Sequence, residues 1–221
     1  MCDAVNLIHL YCENLFDPHN IFVITNNNET TSVIKKKVND KLARIVKCNI
    51  EYISSNNLID DLSFAIKSIN NNFILCLSSH GYANGDKNYI TWNGIKVTDQ
   101  QFHDILTNNI HPNLHCLSLI DTCQSGTMLN LNYQTKDLIS YKPENLSNSI
   151  LNIVCIGAVD DNEYDQDDIS DFGYGGGLTS SFIDFIHGST DLKTIKTFFS
   201  YYKNRISQLG HHPVLSVNNY K

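Results

Sequence analysis

No apolar run of about 18 residues occurs anywhere in the 221-residue chain, so no transmembrane helix is expected. The opening Met-Cys-Asp-Ala-Val-Asn has no basic stretch ahead of an apolar core. No secretory signal is visible in it, and a cytoplasmic location is expected. Basic residues are outnumbered: the formal charge is −7 and the isoelectric point about 5.6. A nucleic-acid binder usually carries a basic face, so that class of partner is excluded. Arginine is confined to Arg44 and Arg205. No Cys-x-x-Cys occurs among the seven cysteines, and their spacings repeat nothing. An odd, irregular set of this kind fits a reducing compartment better than a disulfide framework. Internal repeats, linkers and a second domain are also missing.

What is present is the composition of one folded unit. Apolar residues make up 42% and charged residues 18%, as in an ordinary globular domain. Residues 1–20 read as an amphipathic helix with Val5, Ile8 and Cys12 on one side, forming an extension packed on a domain that spans 21–221. Ile21–Thr25 and Asn49–Ser54 read as strands, with a polar loop at Thr30–Lys37 and a helix-like segment at Val38–Val46 between them. Helices are predicted at Leu58–Ile69, Thr98–Leu106, Leu178–Ile186 and Leu192–Leu209. Further strands are predicted at Phe73–Ser78, His115–Ile120, Ile150–Gly157 and, as a final edge strand, Val214–Val217. Residues 130–148 and 160–177 read as long loops. Such alternation implies an α/β sandwich with a mostly parallel sheet.

Two of these strands stop at reactive side chains. Phe73–Ser78 runs into Ser79-His80-Gly81, and His115–Ile120 into Asp121-Thr122-Cys123-Gln124-Ser125-Gly126. Open α/β sheets bind ligands at the carboxyl ends of their strands. A thiol beside an imidazole is a nucleophile near neutral pH, and the imidazole can protonate an amide leaving group. Backbone N–H groups at Gly81 and Cys123 would receive the oxyanion. His80 and Cys123 are therefore the candidate catalytic pair of a cysteine peptidase. Cys76, Cys116 and Cys155 lie inside apolar runs, where a thiol is a small core residue.

These residues resemble the motifs of caspase-like peptidases, and of metacaspases most closely. Ser78-Ser79-His80-Gly81 is similar to the family's Ser-Gly-His-Gly, and Asp121–Gly126 to its Asp-Ser-Cys-His-Ser-Gly. Met128-Leu-Asn-Leu-Asn-Tyr133, Val38-Asn39-Asp40 and Gly210–Ser216 resemble further stretches, so the similarity covers roughly residues 21–217. It implies a caspase-like three-layer sandwich, with a central, mostly parallel six-stranded sheet flanked by helices. It also implies a monomeric endopeptidase cutting protein substrates after Arg or Lys, without nucleic-acid or membrane partners. Asp40 and Asp121, supported by Ser78, would form the acidic pocket, and Asp160 or Asp161 a further wall. A competing alignment sets Cys2-Asp3-Ala4 on the family's Cys-x-Asn-Asp motif. It deletes the first strand and is set aside.

The chain departs from the family at Ser79, Gln124 and Lys37, and most of all at the calcium site. Asp99 follows Thr98 alone where the family has paired carboxylates, and Asn130 stands where an Asp is usual. Only Asp86 is available to replace a missing loop carboxylate. Calcium takes about six to eight oxygens. These positions supply too few, and activity without calcium or any other cofactor is expected. Lys136 and Lys142 in the following loop are candidate self-cleavage sites. The alternatives are a legumain-like or GPI-transamidase-like peptidase, for which a secretory signal is lacking, and an inactive caspase-like binding scaffold. Specificity for Asp is disfavoured, because neither arginine adjoins the motifs.

Overall fold

Apolar strands alternate with amphipathic helices to give a mixed α/β architecture. The computed structural model describes residues 2–13, 21–42, 50–85, 87–131, 133–135, 152–164, 167–170, 173–188 and 194–218. Its first half comprises α1 (Cys2–Glu13), β1 (Ile21–Thr25), α2 (Asn28–Leu42), β2 (Ile50–Ser54), α3 (Leu58–Ser68) and β3 (Phe73–Ser78). β4 (Gly81–Asn84), β5 (Lys87–Trp92), β6 (Ile95–Thr98), α4 (Asp99–Asn109) and β7 (His115–Asp121) follow. The remainder is β8 (Tyr133–Thr135), β9 (Asn152–Gly157), β10 (Asp167–Ser170), β11 (Gly173–Gly176), α5 (Gly177–Gly188), α6 (Ile195–Ser207) and β12 (Val214–Val217).

The principal sheet has five strands in the order β3-β7-β9-β12-β8. β3, β7 and β9 are parallel, and β12 runs antiparallel to both β9 and β8. β1 and β2 form a separate parallel pair. Where the sequence leads one to expect a single six-stranded sheet, the described strands thus divide into five and two. β12 is an interior strand and not the expected edge, because β8 adds a short strand beyond it.

Three apolar clusters hold the layers together. Leu62, Ile66, Phe102 and Leu106 of α3 and α4 pack against Ile120, Met128 and Ile153. Leu178 and Phe182 of α5 join Phe198, Phe199 and Tyr202 of α6 over Leu119 and Ile156. Val5, Ile8 and Cys12 of α1 meet Val23 of β1 and Ile34 and Val38 of α2. α1 also sends Leu7 and Leu10 into the second cluster, so a boundary at residue 20 does not separate two packing units. Cys12 is disulfide-bonded, a departure from the all-thiol chain expected of the sequence. No helix among the described residues is long and apolar enough to cross a membrane.

Some local structure departs from the sequence reading for identifiable reasons. The predicted loop at 30–37 is the first half of α2: Asn27 accepts from the Thr30 N–H at 2.7 Å and caps it. The stretch after His80 is a three-stranded antiparallel sheet, β4-β5-β6. It turns at Asn93-Gly94, with φ of 51° and 79°, an Asn-Gly hairpin signal legible in the sequence. The 160–177 loop likewise contains the hairpin β10–β11.

Candidate active site

His80 and Cys123 are delivered to one edge by the parallel register of β3 and β7, which pairs Ser78 with Asp121. The Ser79 N–H continues the ladder by donating to the Asp121 carbonyl at 3.4 Å. The chains beyond that point stay in contact. A Cβ added to Gly81 would overlap the Cys123 carbonyl oxygen and meet Thr122 Oγ1 at 2.9 Å. Gly81 is therefore glycine because the backbone carrying the nucleophile lies against it. His80 is exposed and Cys123 half-buried.

The turn that holds Cys123 is braced on both sides. Gln124, the next residue, has φ of 53°, a left-handed conformation costly for a residue with a Cβ. Its N–H donates to the Glu163 carbonyl at 2.9 Å. Ser125 Oγ exchanges hydrogen bonds with the Val159 backbone at 3.2 and 3.3 Å. Asp161 accepts from the Thr127 N–H at 2.8 Å and from Asn88 Nδ2 at 2.6 Å. Glu163 in turn accepts from the His212 N–H at 2.7 Å and lies 2.6 Å from His212 Nδ1. Partial burial opposes ionisation of Glu163, but the His212 hydrogen bonds prevail and lower its pKa below the ordinary value.

Three further described thiols, Cys76, Cys116 and Cys155, pack in the core. Burial pushes Cys116 up to about 12 and also raises Cys76 and Cys155, leaving them as neutral core groups.

The acidic pocket is assembled differently from the sequence expectation. Asp121 is 3% exposed. Its carboxylate accepts the Thr179 N–H at 2.7 Å and the Leu178 N–H at 3.4 Å. It thus satisfies the first turn of α5, where a negative charge also meets the positive end of the helix dipole. Asp40 lies exposed in the last turn of α2, and no hydrogen bond joins it to Asp121 or Ser78 among the described residues. The carboxylate beside Asp121 is that of Asp3, on the first turn of α1. It is 6% exposed, accepts Ser78 Oγ at 2.6 Å and accepts the Gly176 N–H at 3.0 Å. Burial is the main cause of its raised pKa, reinforced by the negative charge of Asp121 and opposed by the Ser78 hydrogen bond. A Cβ at Gly176 would collide with the Asp121 carboxylate, so only glycine lets the β11 backbone pass between the two acids.

The likeness to known proteins is one of fold. The chain is similar to the crystal structure of protein GSU0716 from Geobacter sulfurreducens, with a TM-score of 0.56 and 14% identity over 86% of this chain and 84% of that one. No family profile and no curated protein matches the sequence.

Of the residues singled out from sequence, Ser78, His80, Gly81, Asp121 and Cys123 converge on this edge, and Asp40 does not. Asp160 is half-buried in the loop beyond β9 and bonded within it, accepting from the Asp161 N–H at 2.9 Å. Lys136 and Lys142 lie outside the described residues. Asp99 is buried and accepts backbone N–H groups from Gln100 at 2.7 Å and Asn88 at 3.3 Å. Among the described residues, no group of three or more His, Cys, Asp or Glu is arranged to hold a metal. The buried carboxylate at this edge that was not singled out from sequence is Asp3, in Cys2-Asp3-Ala4.

Proposed function

We propose that the chain is a cysteine endopeptidase of the metacaspase kind, built on a caspase-like sandwich, that cleaves after Arg or Lys. One observation carries this reading. Two buried carboxylates, Asp3 and Asp121, lie beside the exposed Ser78 on the edge that bears His80 and Cys123, and among the described residues no Lys or Arg side chain is hydrogen-bonded to them. A buried carboxylate is costly unless positive charge balances it, and a substrate Arg or Lys would supply such charge. Asp3 takes the place first given to Asp40.

In the reaction, His80 accepts the Cys123 thiol proton and the sulfur attacks the scissile carbonyl. The oxyanion is received by the backbone N–H groups at Gly81 and Cys123. His80 then protonates the departing amine, leaving a thioester that water hydrolyses with His80 as base. No calcium is required, since Asp99 is already committed to two backbone donors and Asn130 adds no charge.

Fluorogenic peptides ending in Arg or Lys, Asp, and Asn test the reading on wild type and Cys123→Ala. Turnover after Arg and Lys is expected in chelator, falling by about 10⁴-fold or more in Cys123→Ala. Turnover after Asn would make the enzyme legumain-like, and turnover after none would make it a scaffold. Activity that appears only with millimolar calcium would overturn the metal-free mechanism.

A further inference from the structure

The strand that follows His80 carries an aromatic stack on its outer face. Gly81 is buried against the Cys123 backbone, and the residues on either side of it, His80 and Tyr82, are exposed. Successive side chains of a strand point to opposite faces, so Tyr82 stands on the solvent face of β4. It lies directly opposite Tyr89 of β5, the two rings stacked with centroids 5.4 Å apart and planes 21° from parallel. From β6, on the other side of β5, Lys96 sets its ammonium 4.2 Å from the centre of the Tyr89 ring. Tyr89 is thus held from two strands at once. Tyr82 ends the stack and is 42% exposed.

The stack is fixed to the turn that bears the nucleophile. Asn88, the residue before Tyr89, is buried, and its Nδ2 donates to Thr127 Oγ1 at 2.9 Å and to Asp161 Oδ1 at 2.6 Å. Asp161 is the same carboxylate that receives the Thr127 N–H beyond Cys123. Buried hydrogen bonds therefore join β5 to that turn. Tyr82 is tied in through its own ring and through Gly81, packed on the Cys123 carbonyl. A surface held in this way loses little freedom when a ligand settles on it.

The direction of the reaction decides what reaches it. In the proposed mechanism His80 protonates the nitrogen of the scissile amide, and that nitrogen belongs to the first residue of the leaving fragment. The leaving fragment therefore starts at His80, and β4 begins one residue further on. Extended chain advances about 3.3 Å per residue, so the second leaving residue reaches as far from His80 as Tyr82 does. The acidic pair lies at Ser78, before His80 in the chain, where the Arg or Lys of the other fragment is received. An open phenol ring takes a second ring by offset stacking, a gain beyond the area it covers. We propose that Tyr82, backed by Tyr89 and Lys96, is the platform for an aromatic side chain on the leaving side of the scissile bond, centred on the second leaving residue. Substrates are then selected on both sides of the cut, by a cation before it and a ring after it. The assignment rests on the peptidase reading above, and the experiment separates the two.

Two peptides, each with a single Arg before the cut, differ only in Tyr or Ala at the second leaving residue. They compete in one reaction, and mass spectrometry of the remaining substrates gives the ratio of their kcat/KM values. A ratio is insensitive to any loss of folded enzyme. It should favour Tyr about tenfold in wild type, fall to about one in Tyr82→Ala and return in Tyr82→Phe, which keeps the ring. Phe64→Ala, which removes an exposed ring on α3, should leave it unchanged. A wild-type ratio of about one with Tyr at each of the first three leaving positions would overturn the proposal. So would a preference that survives Tyr82→Ala. If no peptide is cut, the peptidase reading fails, and equilibrium binding of the same pair to Cys123→Ala decides the platform. Tighter binding of the Tyr peptide, lost when Tyr82→Ala is added, supports it, and equal binding overturns it.

Discussion

β3 and β7 are neighbours of similar length and composition, each ending at a residue proposed for catalysis, yet they live in different surroundings. β7 is paired on both sides, and Ser118 to Asp121 are fully buried. Among the described strands β3 is paired on one side only, and its apolar residues are half-buried. Burial of a strand is thus set by its neighbours and not by its own hydrophobicity. The difference has a functional side. Cys123 follows the enclosed strand in a turn braced by Asp161, Ser125 and Glu163. The histidine leaves the open strand and is exposed.

The sharpest way to probe this contrast is by truncation. Ile120 in β7 is fully enclosed, so Ile120→Ala should cost about 3–5 kcal/mol in urea unfolding through lost transfer energy and a cavity. Leu75→Ala in β3 should cost about half as much, roughly 1–2 kcal/mol, because the side chain is only partly buried where it packs against the α3–α4 cluster. Equal losses would mean that the two strands are equally enclosed.

Asp3 ties the open strand to the closed one, through Ser78 and alongside Asp121. Asp3→Asn keeps the shape and removes a charge, its amide oxygen still able to accept the Gly176 N–H while its NH2 donates to Ser78 Oγ, whose hydroxyl now accepts. Cleavage after Arg or Lys should fall about 100-fold, with Asp40→Asn as the unaffected control. The pKa of Asp3 is raised in the fold, so its ionised form opposes folding above that pKa, and the penalty fades as pH falls through it. Asp3→Asn should therefore raise Tm at neutral pH even as activity drops. A fall in Tm would mark Asp3 as a structural anion and not a binding one.

The smallest effect belongs to the brace on the nucleophile's turn. Glu163 has a lowered pKa, so its contribution is present above the ordinary value of 4.5 and is lost as pH falls through the lower folded one. Glu163→Gln should lower Tm slightly at neutral pH and converge with wild type in acid. A constant offset across that range would show that its charge is not what matters.

Periodicity placed most elements, because apolar spacing at 3.6 or 2 residues reflects local geometry. α1, α3 and α4 carry their apolar stripes where the sequence sets them, and Thr98 caps α4 in a capping box with Gln101. Asn93-Gly94 announced a hairpin that was passed over. The polar start of α2 was unreadable as helix until Ile34 and Val38 were seen to be buried against α1 and β1.

The sequence alone singled out His80 and Cys123 as residues that follow two apolar strands. That the two strands are parallel neighbours, with Ser78 opposite Asp121, is a fact of the fold. Only the tertiary structure decided which acid stands with Asp121. Asp3 and Ser78 are far apart along the chain, and the helix that brings them together is positioned by two separate apolar clusters. The partial burial of β3 likewise belongs to three dimensions. An apolar run states that a strand prefers to be covered, and the packing of the other elements determines whether it is.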